Sequence, residues 1–553
     1  MPAKTACVVG AGASGVATLK EFVRQGFKTT CYEIDSDVGG IWHRKDTTHP
    51  INTPSIWDNL ITNSSKFNSC YSDLPPNAKD TPYLTAEAMY QYFKRAIKHF
   101  GVEKNIQFNT RVMKIRKTAD HEQTGRWEVY TTKRGDAIAG NDLAGRPIDE
   151  ALLSKCHKEV FDVVIVCTGY FKIPVYPDIP GLDKFSGKVQ HVFNYTGPKP
   201  HEGKTVLIVG NKLSAADIGS DVANYAKQVY IAVGGGMWII PRCFSSARTL
   251  DLMFSRSIIH SSTGVNKINE ILMDEAERKL DHESAGIRPS KPPVFDRYGL
   301  SDDLPVKMLS GRVQPYGRVT RVNDNQVHFQ DGKVISGIDA IILCTGFNPD
   351  LSFLDMKIVQ ESGKMEMFKM MFPLNVKHNT LAIIGHVGGD APLALLYELQ
   401  ARLAALVMSG KHQLPSRSKM QKDVDKWNDH AYARKGSFRS YFVSADLLTE
   451  SIAEEIGCYP TFWKVLLRDP LLAYRNWYGP IFAAQYRLLG PDSQWNESAK
   501  TCHILYEEGH SSIRHMEKNK FNPKGVSGNY TSTITILAII SFLIAAVGIF
   551  FRN

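Results

Sequence analysis

Short apolar runs alternate with stretches of helical period along this chain, and glycines mark the joins. Thr5 to Val9 is an apolar strand, followed by a glycine cluster and a helical pattern from about Gly15 to Gln25 that stops near Gly26. Lys28 to Glu33 then reads as a second strand, so the N-terminus is a β-α-β unit. Val38-Gly39-Gly40-Ile41-Trp42 forms a second glycine turn, and residues 53–76 are loop-rich. The pattern predicts a helix from about Thr85 to Phe100, capped by Thr85 with Glu87 and Ala88 in its first turn. Ile106 to Ile115 and Trp127 to Thr132 carry strand patterns.

The unit then recurs. Phe161 to Cys167 is a continuous apolar strand ending in Thr168-Gly169-Tyr170. Thr205 to Val209 opens a second β-α-β unit, with a helix from about Ser214 to Tyr225 and a strand from Gln228 to Val233. Ala340 to Cys344, followed by Thr345-Gly346-Phe347, repeats the strand-then-Thr-Gly pattern. Thr380 to Gly385 is another buried strand, ahead of a long helix from Ala391 to Met408. Residues 135–156 are polar and aperiodic, a surface excursion, and 245–307 are mixed and helical, an insertion. No solenoid repeat is present.

The hydrophobic pattern changes character at the end. Ile534 to Phe551 is apolar and uncharged. As a helix it extends roughly 27 Å, and Tyr530 to Thr533 bring it close to the ~30 Å of a bilayer core. Arg514, Lys518, Lys520 and Lys524 precede it, which predicts a transmembrane helix over 530–551 with the body in the cytosol. Asn529-Tyr-Thr531 fits a glycosylation pattern that would stay unused on that side. No signal peptide is predicted, since the first apolar run belongs to the first β-α-β unit.

The 553 residues allow roughly two to four domains. A net charge of +10 is modest over this length, and no zinc-finger or basic-helix pattern accompanies it, so nucleic acid is not a predicted partner. The nine cysteines are scattered without any C-x-x-C, as in a reducing compartment. That spacing disfavours disulfide-reductase chemistry, and no metal site is predicted.

Candidate chemistry centres on the two glycine loops. Gly10-Ala11-Gly12-Ala13-Ser14-Gly15 has G-x-G-x-x-G spacing directly after a strand. Gly10 permits the tight turn, Gly12 lets the backbone approach a pyrophosphate, and Gly15 lets helix and strand pack closely. The helix N-terminus offers N–H groups and positive partial charge to the phosphates. Glu33 closes the second strand, where a carboxylate accepts ribose hydroxyls and repels a 2′-phosphate. This site suits FAD or NAD rather than NADP, and the nearby Gly40-Ile41-Trp42 turn resembles one that passes beside the flavin in FAD proteins, which favours FAD.

The second loop, Gly210-Asn-Lys212-Leu-Ser214-Ala215, departs from the template. Lys212 holds the second glycine position, so its side chain either turns away from the pyrophosphate or bonds to it. Ser214, Ala215, Ala216 and Asp217 keep an intact helix start. The strand after it ends in Val233-Gly234-Gly235-Gly236, with no carboxylate to repel a 2′-phosphate. Charge therefore favours NADPH over NADH.

Between the loops stands Phe185-x-Gly187-x-x-x-His191-x-x-x-Tyr195. This word resembles the fingerprint of the flavin-containing monooxygenase family. Baeyer–Villiger monooxygenases usually end it with tryptophan, so Tyr195 leans toward the former. The resemblance extends through Thr62-Asn63-Ser64-Ser-Lys66, Phe67 to Pro75, the two Thr-Gly words, Ser301-Asp-Asp-Leu-Pro305, Glu398-Leu-Gln-Ala-Arg402 and the apolar tail.

The resemblance implies an α/β fold with two Rossmann-like dinucleotide-binding domains. Residues 1–172 and 347–457 would form a discontinuous FAD-binding domain, and 173–244 and 308–346 an NADP-binding domain. Residues 245–307 would be an insertion subdomain, 458–529 a membrane-proximal region and 530–551 the membrane helix. The two Thr-Gly words would mark the crossings between domains. The resemblance further implies an enzyme that uses NADPH, FAD and O2 to oxygenate small lipophilic nucleophiles at nitrogen or sulfur through a C4a-hydroperoxyflavin. Asn63 would be the catalytic residue beside flavin and nicotinamide, with Thr62 and Ser64 adjoining. His191 would join domains rather than act as acid or base. The family's arginine near Gly234 is absent, leaving Lys212 or Arg242 for the 2′-phosphate. Localisation would be the endoplasmic reticulum membrane, with the lipid bilayer as partner. A homo-oligomer is compatible with the sequence. Alternatives are Baeyer–Villiger oxygenation of ketones, an NADPH oxidase releasing hydrogen peroxide, and a membrane-anchored nucleotide binder without catalysis.

Overall fold

The computed structural model describes residues 3–44, 53–134, 148, 150–244, 248–295, 298–389, 393–436 and 442–509. Most of the polar excursion and the whole predicted span 530–551 lie outside the described residues. Among the described residues, no helix is long and apolar enough to cross a membrane.

The N-terminal unit consists of β1 (Thr5–Val9), α1 (Ala13–Arg24) and β2 (Lys28–Tyr32). Helix α2 (Ala86–His99) follows, with the Thr85 side chain accepting from the Ala88 N–H as its cap. Then come β3 (Ile106–Gln107), β4 (Val163–Val166) and β5 (Lys188–His191). The second unit is β6 (Thr205–Val209), α3 (Leu213–Val222) and β7 (Gln228–Ala232). After it stand β8 (Val313–Tyr316), β9 (Ala340–Leu343), β10 (Leu381–Ile383) and α4 (Leu393–Met408).

Two all-parallel sheets result. The first has order β10-β4-β1-β2-β3 and the second β8-β7-β6-β9-β5. Continuous apolar runs build them because both faces of a parallel sheet are covered; Val163 to Val166 and Val206 to Ile208 are fully buried. The sheets repeat one plan. In each, the opening strand of the β-α-β unit lies between its own second strand and a strand that leads into a Thr-Gly word. The two segments around those words also meet, since Ile173–Pro174 pairs antiparallel with Phe347–Asn348.

Three expected elements differ. The predicted strand from Ile106 to Ile115 breaks at Asn109, whose φ is 53°; asparagine tolerates that left-handed conformation. Residues before the break join the parallel sheet, and Thr110–Lys117 instead pairs antiparallel with Trp127–Lys133, which pairs with His157–Phe161. Phe161 therefore belongs to the antiparallel sheet, not to β4. The insertion is not wholly helical either. Beside its helix Gly264–Glu277, Tyr298–Leu300 pairs parallel with Trp238–Ile240, and the two strands share a small core with Leu272 and Ala276.

A buried charged centre fastens the first helix to the C-terminal region. Lys20 and Arg487 both contact Glu398, and Arg487 also reaches Glu21 and Asp73. Ser72 donates to Glu398 through its N–H at 2.7 Å and its hydroxyl at 2.5 Å. Removing one member would leave an uncompensated buried charge, which costs more than the intact cluster contributes. This explains the Glu398–Arg402 word: Arg402 donates to the Tyr486 carbonyl at 2.8 Å.

Candidate active site

The carboxyl ends of both sheets open into one cleft of about 1690 Å³. A single-ligand pocket is roughly 300–1,000 Å³, so this cleft has room for two dinucleotides. It is lined by Gly10, Gly12, Ala13, Ser14, Glu33, Gly40, Ile41 and Trp42 from the first cradle, and by Gly210, Lys212, Ser214 and Asp217 from the second. Thr62, Asn63 and Ser64 lie on the wall between.

Four predicted contact residues do not reach the cleft. Ala11 is buried, and its N–H donates to Glu33 Oε2 at 2.5 Å. Gly15 packs behind the loop, where a Cβ would lie 1.9 Å from the Gly10 carbonyl oxygen. Ala215 and Ala216 face the core beneath α3. These positions shape the cradles because small residues there let helix and strand close up.

Each residue of the first cradle has a physical reason. A Cβ on Gly10 would meet the Cys167 carbonyl oxygen at 2.8 Å. Gly12 differs: its Cβ would meet the Gly40 backbone no closer than an ordinary 3.6 Å, so no protein atom forbids it. Glycine there keeps the cleft side of the loop open, which is the room a pyrophosphate needs. The two glycine turns are joined by the Gly39 N–H donating to the Ala11 carbonyl at 3.0 Å. Helix α1 starts without a side-chain cap and without an acid in its first turn, as does α3, leaving both N-terminal turns suited to phosphate. Glu33 Oε1 accepts from the Asp35 N–H at 2.8 Å, so each carboxylate oxygen holds one backbone donor and keeps a lone pair for another. Burial pushes the Glu33 carboxyl up to about 7, against the pull of those two N–H groups.

In the second cradle, a Cβ on Gly210 would meet the Cys344 carbonyl oxygen at 2.6 Å, as Gly10 meets Cys167. Lys212 is exposed at the N-cap of α3. Asn211, which sequence reasoning passed over, donates to the carbonyls of Val233 (2.8 Å) and Gly236 (3.1 Å), closing the turn after β7. Arg242 is committed elsewhere than a 2′-phosphate. It is buried, and its Nη2 donates to Asn63 Oδ1 at 2.9 Å and to Asp217 Oδ1 at 2.6 Å. Arg318 is a cation that the sequence did not single out. It lines the cleft two residues past Tyr316, which is paired with Ala232 at the exit of β7. Only the strand order reveals it.

The Asn63 loop is held from several sides. Thr62 exchanges hydrogen bonds with Leu84, its N–H donating at 2.9 Å and its hydroxyl accepting at 3.0 Å. Asp251, from the insertion, accepts from the Ser65 N–H and hydroxyl and from Asn68. The same insertion supplies an apolar wall that includes Phe254, Ile259, Ile268 and Leu272. His191 is fully buried, its Nδ1 accepts from the Phe193 N–H at 3.1 Å, and its ring packs edge-on against Phe347. Burial lowers its pKa.

The family model described as flavin-binding monooxygenase-like matches residues 3–551. The chain belongs to that family. This flavin-containing monooxygenase is 32% identical over 513 residues to N-oxide-forming dimethylaniline monooxygenase 2 of Rattus norvegicus, covering 91% of this chain and 92% of the relative. It is 32% identical over 501 residues to flavin-containing monooxygenase 2 of Homo sapiens, covering 89% and 90%. Among solved structures it is similar in fold to S-allyl-L-cysteine S-oxygenase from Allium sativum, with TM-score 0.60, 22% identity and coverage of 92% and 99%. Cyclohexanone monooxygenase shares the fold at TM-score 0.57 and 14% identity, covering 82% and 98%. The monooxygenase is an oxidoreductase whose cofactors are FAD and NADPH.

Proposed function

We propose that this monooxygenase oxygenates small lipophilic molecules at a soft nitrogen or sulfur, with FAD held by the first cradle and NADPH by the second. The observation that carries the reading is that both cradles open into one cleft with Asn63 on the wall between them. Residues 1–172 with 347–457 would hold the flavin, and 173–244 with 308–346 the nicotinamide nucleotide. The bound cofactors supply two-electron reduction and the activation of O2.

The chain's own residues position and exclude water. The Gly10–Ser14 loop and α1 N-terminus take the FAD pyrophosphate, and Glu33 accepts from its ribose. The α3 start, from Lys212 to Ser214, takes the second pyrophosphate. Asn63 would donate a hydrogen bond to the bound cofactors, and the insertion's apolar wall would keep water away from the cleft. This reading needs no acid–base pair, because a nucleophile with an exposed lone pair is the acceptor of oxygen.

The test is product balance on the purified full chain, with a thioether, a tertiary amine and a ketone offered separately. Oxygenated thioether or amine should account for most of the NADPH consumed. Lactone or ester from the ketone would establish Baeyer–Villiger chemistry instead, and hydrogen peroxide as the main product would make the protein an oxidase. Asn63→Ala should shift NADPH consumption toward peroxide by about tenfold; an unchanged balance would remove Asn63 from the reaction. A colourless preparation unable to take up FAD would leave only nucleotide binding.

We also infer attachment to the endoplasmic reticulum membrane through residues 530–551, with the catalytic body in the cytosol. The charge asymmetry around the apolar run supports it. So do exposed large side chains in the preceding region: Trp463 is 67% exposed and Leu467 88%. Deleting 530–553 should move the protein from the membrane pellet to the supernatant.

A further inference from the structure

We propose that α3 orients Asn63 through its two carboxylates, Asp217 and Asp221, so that nucleotide occupancy of the second cradle sets the position of the catalytic amide. This rests on the reading of Asn63 given above.

Asp217 and Asp221 are one helical turn apart and share a face. Each reaches the loop that carries Asn63. Asp217 does so through Arg242, whose Nη2 bonds both Asp217 Oδ1 (2.6 Å) and Asn63 Oδ1 (2.9 Å). Asp221 does so directly, accepting from Asn59 Nδ2 at 2.8 Å. Its other oxygen accepts from the Tyr195 hydroxyl at 2.8 Å. Trp57, at the start of the loop, packs edge-on against Tyr195 at 5.3 Å and joins the core beneath α3.

The chemistry of Arg242 decides which way the Asn63 amide lies. A guanidinium donates and never accepts, so the atom facing it must be the carbonyl oxygen. The amide nitrogen is then the free hand of the side chain and acts as a donor. The Arg242 backbone is anchored, its N–H donating to Asp302 at 3.2 Å and its carbonyl accepting from the Tyr83 hydroxyl, and the Asp217 carboxylate holds its guanidinium. Arg242 and Tyr195 are thus positioning residues, and Tyr195 gives the last letter of the fingerprint word a hydrogen-bonding task that phenylalanine could not perform. The N-terminal turn of α3 is the phosphate end of the cradle, so a shift of that helix carries Asn59 and Asn63 with it.

The test uses the full-chain holoenzyme and hydrogen exchange of the segment 57–64, with and without NADP⁺. In the wild type, NADP⁺ should slow exchange there at least fivefold. Tyr195→Phe and the exposed Asn59→Ala should each lose at least half of that protection while still binding NADP⁺. Arg242→Lys keeps the charge but replaces the planar fork with one nitrogen on a flexible stem, and should raise the peroxide share severalfold with NADPH affinity changed less than threefold. Equal exchange with and without NADP⁺ in the wild type, or variants that match the wild type in both readouts, would overturn the proposal. If the exchange coupling holds but Asn63→Ala leaves the peroxide share unchanged, the linkage stands and the catalytic reading of Asn63 falls.

Discussion

At the first cradle a Cβ on the third glycine, Gly15, would lie 1.9 Å from a backbone oxygen; at the second, the same place is Ala215, fully buried and accommodated. The two loops share a fold plan and are tuned differently. The first glycine is required in both, because each would collide with the carbonyl of a strand-end cysteine, Cys167 or Cys344. The second position is an open-faced glycine in one and Lys212 in the other. Each loop is tied to the exit of its unit's second strand, by the Ala11 N–H to Glu33 in one and the Asn211 side chain to Val233 and Gly236 in the other. One cradle therefore presents an acid, and the other presents Lys212 with Arg318 nearby. On the proposed reading, the turn and helix start would hold any dinucleotide, and the charge at the strand exit would choose between FAD and NADPH.

The largest effect should come from erasing the steric difference. Gly15→Ala puts a methyl into a backbone oxygen that cannot swing aside, so α1 must retreat from the loop. Purified protein should lose essentially all bound flavin, read as the ratio of flavin to protein absorbance. Ala215→Gly should leave NADPH binding within threefold. Full flavin content in Gly15→Ala would mean that the two cradles tolerate the same packing.

Charge comes next. A hydrogen bond to a phosphate is worth about 1.5–3 kcal/mol, so losing one should weaken NADPH roughly ten- to hundredfold. Lys212→Ala and Arg318→Ala each test one cation, with binding of NADPH and NADH measured side by side. Selective loss of NADPH marks the residue that meets the 2′-phosphate. Equal loss for both nucleotides places the residue on the shared pyrophosphate, and no loss removes it from the cradle.

Much of this was legible in the chain because it is local. β1, the α2 cap and β6 follow from apolar runs, a threonine and glycine spacing within one stretch of sequence. The Asn109 break was not visible, since a left-handed asparagine leaves no trace in an apolar pattern. The site divides in the same way. Motif residues such as Gly12 and Glu33 are spaced by the β-α-β unit itself. Asp251 and Arg318 stand outside any motif and come to the cleft only through sheet order and the insertion's packing, while Arg242, named in the sequence for a phosphate, is bonded instead to Asn63 and Asp217. Ala11, Gly15, Ala215 and Ala216 belong to the motifs yet face inward, because a motif records what the loop needs in order to close as well as what touches the ligand.

The smallest predicted effect sharpens the acidic half of the comparison. Burial holds the Glu33 carboxyl at about 7, up from 4.5. A ribose hydroxyl donating to it favours the ionised form, so FAD binding must lower that value and release a proton. Affinity should therefore weaken as pH falls below 7, by roughly fivefold between pH 8 and pH 6 for one unit of displacement. Stability of the flavin-free protein has the opposite sign. A raised carboxyl contributes stability that is fully present below 4.5 and is lost as pH rises through about 7. Fluorescence titration of FAD into stripped protein, repeated across this range, reads the first effect, and thermal melting of the same samples reads the second. Glu33→Gln should flatten both profiles, because the amide keeps an acceptor for the ribose but has no proton to release. A pH-dependent FAD affinity that survives in Glu33→Gln would locate the titrating group elsewhere and leave the acid at the first strand exit without its assigned part in choosing the cofactor.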